Sequence, residues 1–261
     1  PQHGCVRAGP RQGHMKRLRV LVLSGETLLR SFFDPPRERR LGRGFAWTRV
    51  PGRRLTPRLC RLLADADALV TTWDSPCFGE ELLSLAPRLR LVAHCGGEVK
   101  ARFARPLFGR LVIANAPGPM AHRVAELAVT FLLMAARRVD AYREALRRPS
   151  NRVYVRLHLE GAGADTLCGR TVGLLGFGRI AQETARLLRP FGPRLLVHDP
   201  YVAAAAVRSG GGTPATLTRL LRGSEYLVLA AGLTDARRTL RDRAGLRVLP
   251  DGAAVLLVTR G

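Results

Sequence analysis

Apolar and polar positions alternate along this chain in two distinct rhythms. Short apolar runs at Leu18–Leu23, Ala68–Thr72, Leu89–His94 and Leu111–Asn115 have the length and composition of buried strands. Between them, Leu55–Leu63 and Glu80–Leu85 space their apolar residues as one helix face. Pro35–Arg43 is charged and aperiodic and reads as a loop. From His122 to Arg147 the pattern predicts one long helix, with Val124, Leu127, Ala128, Phe131, Leu132 and Ala135 tracing its apolar face. Asn151–Thr166 is polar and without period, as expected of a linker. The alternation then resumes. Thr171–Leu175 is a strand, Ile180–Leu188 a helix, Leu195–His198 a strand and Leu217–Leu221 a helix. Tyr226–Ala230 is a third strand, Arg238–Leu246 a helix, and Ala253–Val258 a fourth strand. Strands alternating with helices predict an α/β protein with parallel sheets in two domains. The expected organisation is a structureless or extraneous segment 1–14, a first domain 15–121, an interdomain helix 122–150, a linker 151–168 and a second domain 169–261. Met15, directly before the first strand, reads as the natural start.

Composition narrows the function classes. Of 261 residues, 46% are apolar, enough for proper cores and against disorder. No apolar run is long enough to predict a membrane span, and no secretory signal is visible, so a cytoplasmic protein without membrane attachment is expected. Five scattered cysteines without C-x-x-C spacing suggest reduced thiols, and six dispersed histidines make no metal-ligand cluster. The net charge of +23 suggests nucleic acid at first sight. Yet Lys16 and Lys100 are the only lysines, so nearly all the positive charge is arginine, spread evenly and without interleaved aromatics. That pattern attracts polyanions non-specifically and gives no specific nucleic-acid reading.

The chemistry concentrates in GRTVGLLGFGRIAQETARLLRPFGPRLLVHDP, Gly169 to Pro200. A buried strand runs into Gly176-Phe177-Gly178-Arg179-Ile180-Ala181 and then a helix. Gly176 permits a tight turn, Gly178 lets backbone approach a pyrophosphate, and the small Ala181 allows helix and strand to pack closely. The N–H groups of Arg179 and Ile180 open the helix towards the anion. Asp199 ends the second strand about 20 residues on, where a carboxylate accepts hydrogen bonds from ribose hydroxyls and repels a 2′-phosphate. These residues point to a dinucleotide, NAD in preference to NADP.

With that fingerprint in the second domain, the chain resembles the D-isomer-specific 2-hydroxyacid dehydrogenases. The likeness is carried by TTWDSP, ELLSLAPRLRLVAHCGGEVK, IANAPGPMAHRVAELAV, GRTVGLLGFGRIA…VHDPY, LTRLLRGSEYLVLAAGLTDARRTL and AAVLLVTRG, in that order. The resemblance implies a flavodoxin-like substrate domain followed by a Rossmann NAD-binding domain. It implies hydride exchange between nicotinamide and C2 of a 2-hydroxy or 2-oxo acid, in a homodimer. Arg260 would be the catalytic arginine, gripping the substrate with its planar fork. The amides of Gly96 and Gly97 would hold the substrate carboxylate, while His94 and Cys95 beside them read as packing residues. Backbone at Ala231 and Thr259 would line the nicotinamide.

The same resemblance calls for an acid–base histidine and its glutamate beyond the arginine motif. None of the six histidines here fits that role, so the chain is expected to be C-terminally incomplete and inactive as written. Its last strand would then be left as an apolar edge. A different class of function, a non-catalytic NAD-binding regulator of the corepressor kind, follows if the pair is truly missing. The motif also departs from the family at Met120, Ala230, Ala231, Gly232 and Leu257.

Overall fold

The computed structural model describes residues 17–160, 165–231 and 247–258. The chain divides into two compact units, residues 1–116 and 117–261. The expectations for the segment 1–14, Met15, the helix Arg238–Leu246, Thr259 and Arg260 lie outside the described residues.

In the first unit, β1 (Arg19–Ser24), β2 (Ala46–Pro51), β3 (Ala68–Thr71), β4 (Leu91–His94) and β5 (Val112–Asn115) form one sheet ordered β2-β1-β3-β4-β5. Every pairing in it is parallel. This is the flavodoxin-like order, with its switch point between β1 and β3. Helices α1 (Glu26–Phe32), α2 (Pro35–Gly44), α3 (Pro57–Ala64) and α4 (Glu81–Leu85) supply the crossovers from β1 to β4, and a short 3-10 helix at Arg105–Gly109 lies between β4 and β5. The core packs Leu21, Leu23, Leu59, Leu63, Leu69, Phe78 and Leu82.

Two elements of this unit depart from the sequence reading. Pro35–Arg43, expected as a loop, is α2: Asp34 caps it by accepting from the Arg37 N–H at 2.9 Å, and prolines occupy its first turn. Its signal was the cap and the N-terminal prolines, not periodicity, since none of its residues is buried. The unexpected β2 is an edge strand with a single fully buried residue, Val50, so it carries little apolar pattern.

The second unit opens with α5 (Pro117–Ala136), α6 (Val139–Leu146) and α7 (Arg152–Glu160). The single helix expected from His122 to Arg147 is therefore two. The break is Arg138, held at φ +50, with Nε 3.0 Å from Asp165 Oδ1 and Nη2 donating to the Leu157 carbonyl at 2.7 Å. No Gly or Pro marks that break. The stretch expected as a linker contains α7, whose residues are all at least partly exposed. The buried face of α5 is Ala121, Ala125, Ala128, Val129, Leu132 and Ala136, rotated from the expected face and leaving Leu127 and Phe131 exposed. An alanine stripe lets α5 approach α8 (Arg179–Leu188) closely. By length and composition α5 is apolar enough to cross a membrane, contrary to expectation, but it carries His122, Arg123 and Glu126 and packs in this unit's core.

The second sheet consists of β6 (Thr171–Leu175), β7 (Arg194–His198), β8 (Thr213–Pro214), β9 (Tyr226–Leu229) and β10 (Ala254–Leu257), ordered β10-β9-β6-β7-β8 and parallel throughout. Numbered within the unit this is 3-2-1-4-5, the Rossmann order. Ala254–Leu257 is thus the fifth strand, not the fourth. The short β8, and α9 (Ala204–Ser209) before it, were not anticipated; α10 (Leu217–Gly223) was. The central β6 is buried along its whole length, whereas Val255 and Leu257 on β10 are exposed.

Candidate functional site

Two glycine turns sit at the carboxyl ends of parallel strands, where open α/β sheets bind ligands. The second unit's turn links β6 to α8. Gly176 takes φ +87, a region open to glycine, and a Cβ there would lie 2.7 Å from the backbone N and Cα of Ala231. The Gly176 N–H donates to the His198 carbonyl at 2.8 Å, and the Ala230 N–H to the Leu175 carbonyl at 2.9 Å. The turn is thereby pinned between β7 and β9. Gly178, the N-cap of α8, has no side chain capping it, and nothing lies within 4 Å of where its Cβ would stand. The first amides of α8, at Arg179 and Ile180, therefore face open space at the positive end of a ten-residue helix.

Asp199 reaches across this turn. Its Oδ2 accepts from the Phe177 N–H at 2.7 Å and its Oδ1 from the Tyr201 N–H at 2.8 Å. A carboxylate offers about four acceptor positions, so two bonds orient Asp199 and leave capacity for a ribose diol. Ala181 is fully buried under the turn. The Phe177 ring is also buried and packs against Gly210, so this residue contributes backbone to the turn, not a ligand-facing side chain. The structure thus gathers Gly176, Phe177, Gly178, Arg179, Ile180, Ala181, Asp199 and Ala231 into one cradle. A dinucleotide fits it on two observations: the space at Gly178 that a Cβ would narrow, and the uncapped start of α8 beside an oriented carboxylate.

The first unit's turn, Cys95-Gly96-Gly97, follows β4. Here the Gly96 N–H donates to the His94 carbonyl at 2.8 Å, so that expected anion donor is engaged within the loop. The Gly97 N–H has no protein acceptor among the described residues, and nothing lies within 4 Å of its would-be Cβ. The loop is tied to the end of β5: the Ala116 N–H donates to the Gly96 carbonyl at 3.0 Å and Asn115 Nδ2 to the Gly97 carbonyl at 2.6 Å. Gly96 is crowded by side chains. A Cβ would lie 2.5 Å from His94 Nε2 and 2.6 Å from Trp73 Nε1. His94 is 2% exposed, with Nδ1 paired to Thr71 Oγ1 at 2.9 Å and its ring edge-on to Phe103. Burial pushes the neighbouring Cys95 thiol's pKa up, favouring the protonated thiol. His94 packs, as its sequence context implied; Cys95 is half-buried. Trp73 was not singled out from sequence, because its relation to Gly96 depends on β3 and β4 lying side by side.

The profile of the D-isomer specific 2-hydroxyacid dehydrogenase, NAD binding domain family matches residues 129–261. The chain belongs to this family. Its second unit is the family's NAD-binding domain, and its cofactor is NAD. Among curated relatives, glyoxylate reductase of Thermococcus kodakarensis is 31% identical over 219 residues, covering 81% of this chain and 64% of that protein. D-3-phosphoglycerate dehydrogenase of Mycobacterium tuberculosis is 31% identical over 224 residues, covering 82% of this chain and 39% of that protein. The chain thus spans under two thirds of the length of either relative. Among solved structures, apo D-mandelate dehydrogenase of Rhodotorula graminis superposes with a TM-score of 0.76 at 23% identity, covering 94% of this chain and 74% of that one. An NAD complex of the formate dehydrogenase of Staphylococcus aureus superposes with a TM-score of 0.70 at 20% identity, covering 94% and 74%. At such identities these two likenesses speak for the fold.

Proposed function

We propose that this protein is an NAD-dependent oxidoreductase exchanging hydride with C2 of a D-2-hydroxy or 2-oxo acid, in the cytoplasm and as a homodimer. The observation that carries the reading is the cradle at Gly176–Gly178, open at the start of α8 and faced by Asp199. Bound NAD supplies the hydride acceptor or donor. The chain supplies binding and orientation. The amides of Arg179 and Ile180 take the pyrophosphate, Asp199 takes the ribose hydroxyls, and backbone at Ala231 and Thr259 flanks the nicotinamide. The free Gly97 amide anchors the substrate carboxylate, in company with Gly96, whose own N–H must first leave the His94 carbonyl. Arg260 is the proposed catalytic group, gripping carboxylate and 2-oxo oxygen with one planar fork.

Proton transfer needs another group. Among the described histidines, His94 is buried, His198 Nδ1 lies 3.0 Å from the Ala215 carbonyl, His122 is held between Glu126 and Glu183, and His158 on α7 stacks on the Tyr154 ring, away from both glycine turns in sequence. None is poised as the acid–base. We assign that role to the histidine–glutamate pair the family resemblance implies. The same observation favours a second reading, a non-catalytic NAD-binding regulator of the corepressor kind.

Calorimetry and an NADH absorbance assay on the full-length protein separate these readings. NAD should bind more tightly than NADP, and a 2-oxo acid should oxidise NADH. Arg260→Lys should then lower turnover by about two orders of magnitude or more. NAD binding without turnover of any 2-oxo acid would leave the regulator reading standing. Tighter NADP binding, or none of either, would overturn the cradle assignment.

A further inference from the structure

The carboxyl edge of the first unit carries an aromatic wall beside the glycine loop. Trp73 follows β3 at the β1/β3 switch point, and its indole edge lies against Gly96. Phe32, the last residue of α1, meets the indole edge-on with ring centroids 5.5 Å apart. Both residues are half-buried, so part of each remains accessible.

The wall stands on a rigid turn. The Thr72 N–H donates to Ser75 Oγ at 2.7 Å, and Ser75 Oγ donates to the Leu23 carbonyl at 2.6 Å. Asp74 accepts from Thr72 Oγ1 at 2.6 Å, Ser24 Oγ at 2.8 Å and the Gly25 N–H at 3.0 Å. Burial raises the Asp74 pKa, but these bonds and the Arg53 charge outweigh it and hold the carboxyl below its ordinary range. Trp73 is thus locked between two residues whose polar groups are bonded, a preorganised surface that loses little freedom on contact.

The Asp74 carboxylate beside Trp73 is spent within the fold: it is largely buried, carries these three bonds and draws Arg53 Nε to 3.5 Å. What this stretch offers a substrate side chain is the surface of the two rings.

We propose that the acid this protein takes carries a bulky, uncharged apolar side chain, aromatic or branched aliphatic, packed on Trp73 and Phe32. The assignment rests on the reading of the Gly97 loop as the carboxylate anchor. It separates this chain from the specificities named for its glyoxylate and phosphoglycerate relatives.

The test uses full-length protein carrying Trp47→Phe, which leaves Trp73 as the sole indole of these 261 residues, and its emission is read as the difference from Trp47→Phe/Trp73→Phe. With NAD present, D-3-phenyllactate, D-2-hydroxyisocaproate, glycolate and D-3-phosphoglycerate are titrated against Trp73 emission and assayed for NAD reduction. The first two should change the emission saturably and show kcat/KM at least about 100-fold above the other two. Trp73→Ala should lower kcat/KM for phenyllactate at least about tenfold more than for glycolate. Emission changes without NAD reduction would keep the wall and remove the dehydrogenase chemistry. Preference for glycolate or phosphoglycerate, no emission change with any acid, or an equal loss for all four in Trp73→Ala would overturn the proposal. Should Trp73→Ala fail to fold, the emission titration decides alone.

Discussion

The two glycine turns occupy equivalent places, each after a parallel strand at the ligand edge of its sheet, yet they need glycine for different reasons. Gly176 needs it for backbone: a positive φ and a main chain 2.7 Å from its missing Cβ. Gly96 has no positive φ; its Cβ is excluded by the rings of His94 and Trp73. One turn is dictated by conformation and close backbone approach, the other by side chains brought from elsewhere in the fold. A cofactor cradle that must accept one invariant pyrophosphate suits the first kind. The loop proposed to hold the substrate carboxylate is of the second kind, which changing one neighbouring side chain would reshape.

The sharpest way to break this contrast is Gly176→Ala. A left-handed alanine costs about 1–3 kcal/mol, and displacing the Ala231 backbone about 1–3 kcal/mol more. Tm should fall by roughly 5–15 °C, and NAD affinity by about 100-fold or more, since the amides of α8 move with the turn. A variant binding NAD within about threefold of the parent would mean that the cradle tolerates a shift the geometry forbids.

Gly96→Ala should act in the other register. The expected cost is about 1–3 kcal/mol, from pressing two rings without backbone strain. By calorimetry NAD affinity should stay within about twofold, while KM for the 2-oxo acid rises. Equal damage to NAD and acid binding would collapse the distinction between the turns.

This difference also explains what could be read from the chain. The second unit's β6, α8, β7 and Asp199 were legible because each residue's role is set within about 30 neighbours of one βαβ unit. The strands β1, β3 and β4 were legible as buried apolar runs; β5 was legible as a strand, but the fold leaves it largely exposed. Trp73 was not, because nothing in Thr71-Thr72-Trp73-Asp74 says that it will face a glycine 23 residues on. Nor was α2, whose solvated faces leave no period, or the Arg138 break, which depends on Asp165 arriving from beyond α7. The alanine face of α5 escaped because apolar counting favours Leu127 and Phe131, while close helix packing selects the smallest residues. Local chemistry was visible; contacts made by the fold were not.

Asp199→Ala probes the cradle more gently. It removes the carboxylate that holds the Phe177 and Tyr201 amides and repels a 2′-phosphate. NAD affinity should fall by roughly 10–30-fold, about 1.4–2 kcal/mol, with little change for NADP. The preference between the two should narrow accordingly. If the NAD:NADP ratio is unchanged while both weaken together, Asp199 supports the turn and reads no ribose.

The smallest effect is a pH dependence confined to the second unit. His122 on α5 lies with Nδ1 2.6 Å from Glu183 on α8 and Nε2 3.1 Å from Glu126. The hydrogen bond to Glu183 is the main cause raising the His122 pKa above its usual value of 6.5, the two carboxylate charges adding to it against burial and Arg186. Glu183 is lowered to about 2, first by Arg186 and then by His122. A raised histidine stabilises the fold below pH 6.5 and loses that contribution as pH climbs through its folded value. A depressed glutamate stabilises above pH 4.5 and loses it as pH falls towards 2. The bridge between α5 and α8 is therefore strongest between about pH 4.5 and 6.5. His122→Gln should lower Tm by about 1–2 °C in that window and by less at pH 9, an exposed pair being worth little and screened by salt. Because α8 also carries the cradle, NAD affinity measured across the same range tests whether the bridge reaches the turn. The glycine loop of the first unit, which has no part in this pair, should keep its substrate affinity unchanged in the variant. A Tm difference that is flat from pH 5 to 9 would show that the imidazole contributes packing alone, and would leave the bridge between α5 and α8 without an electrostatic role.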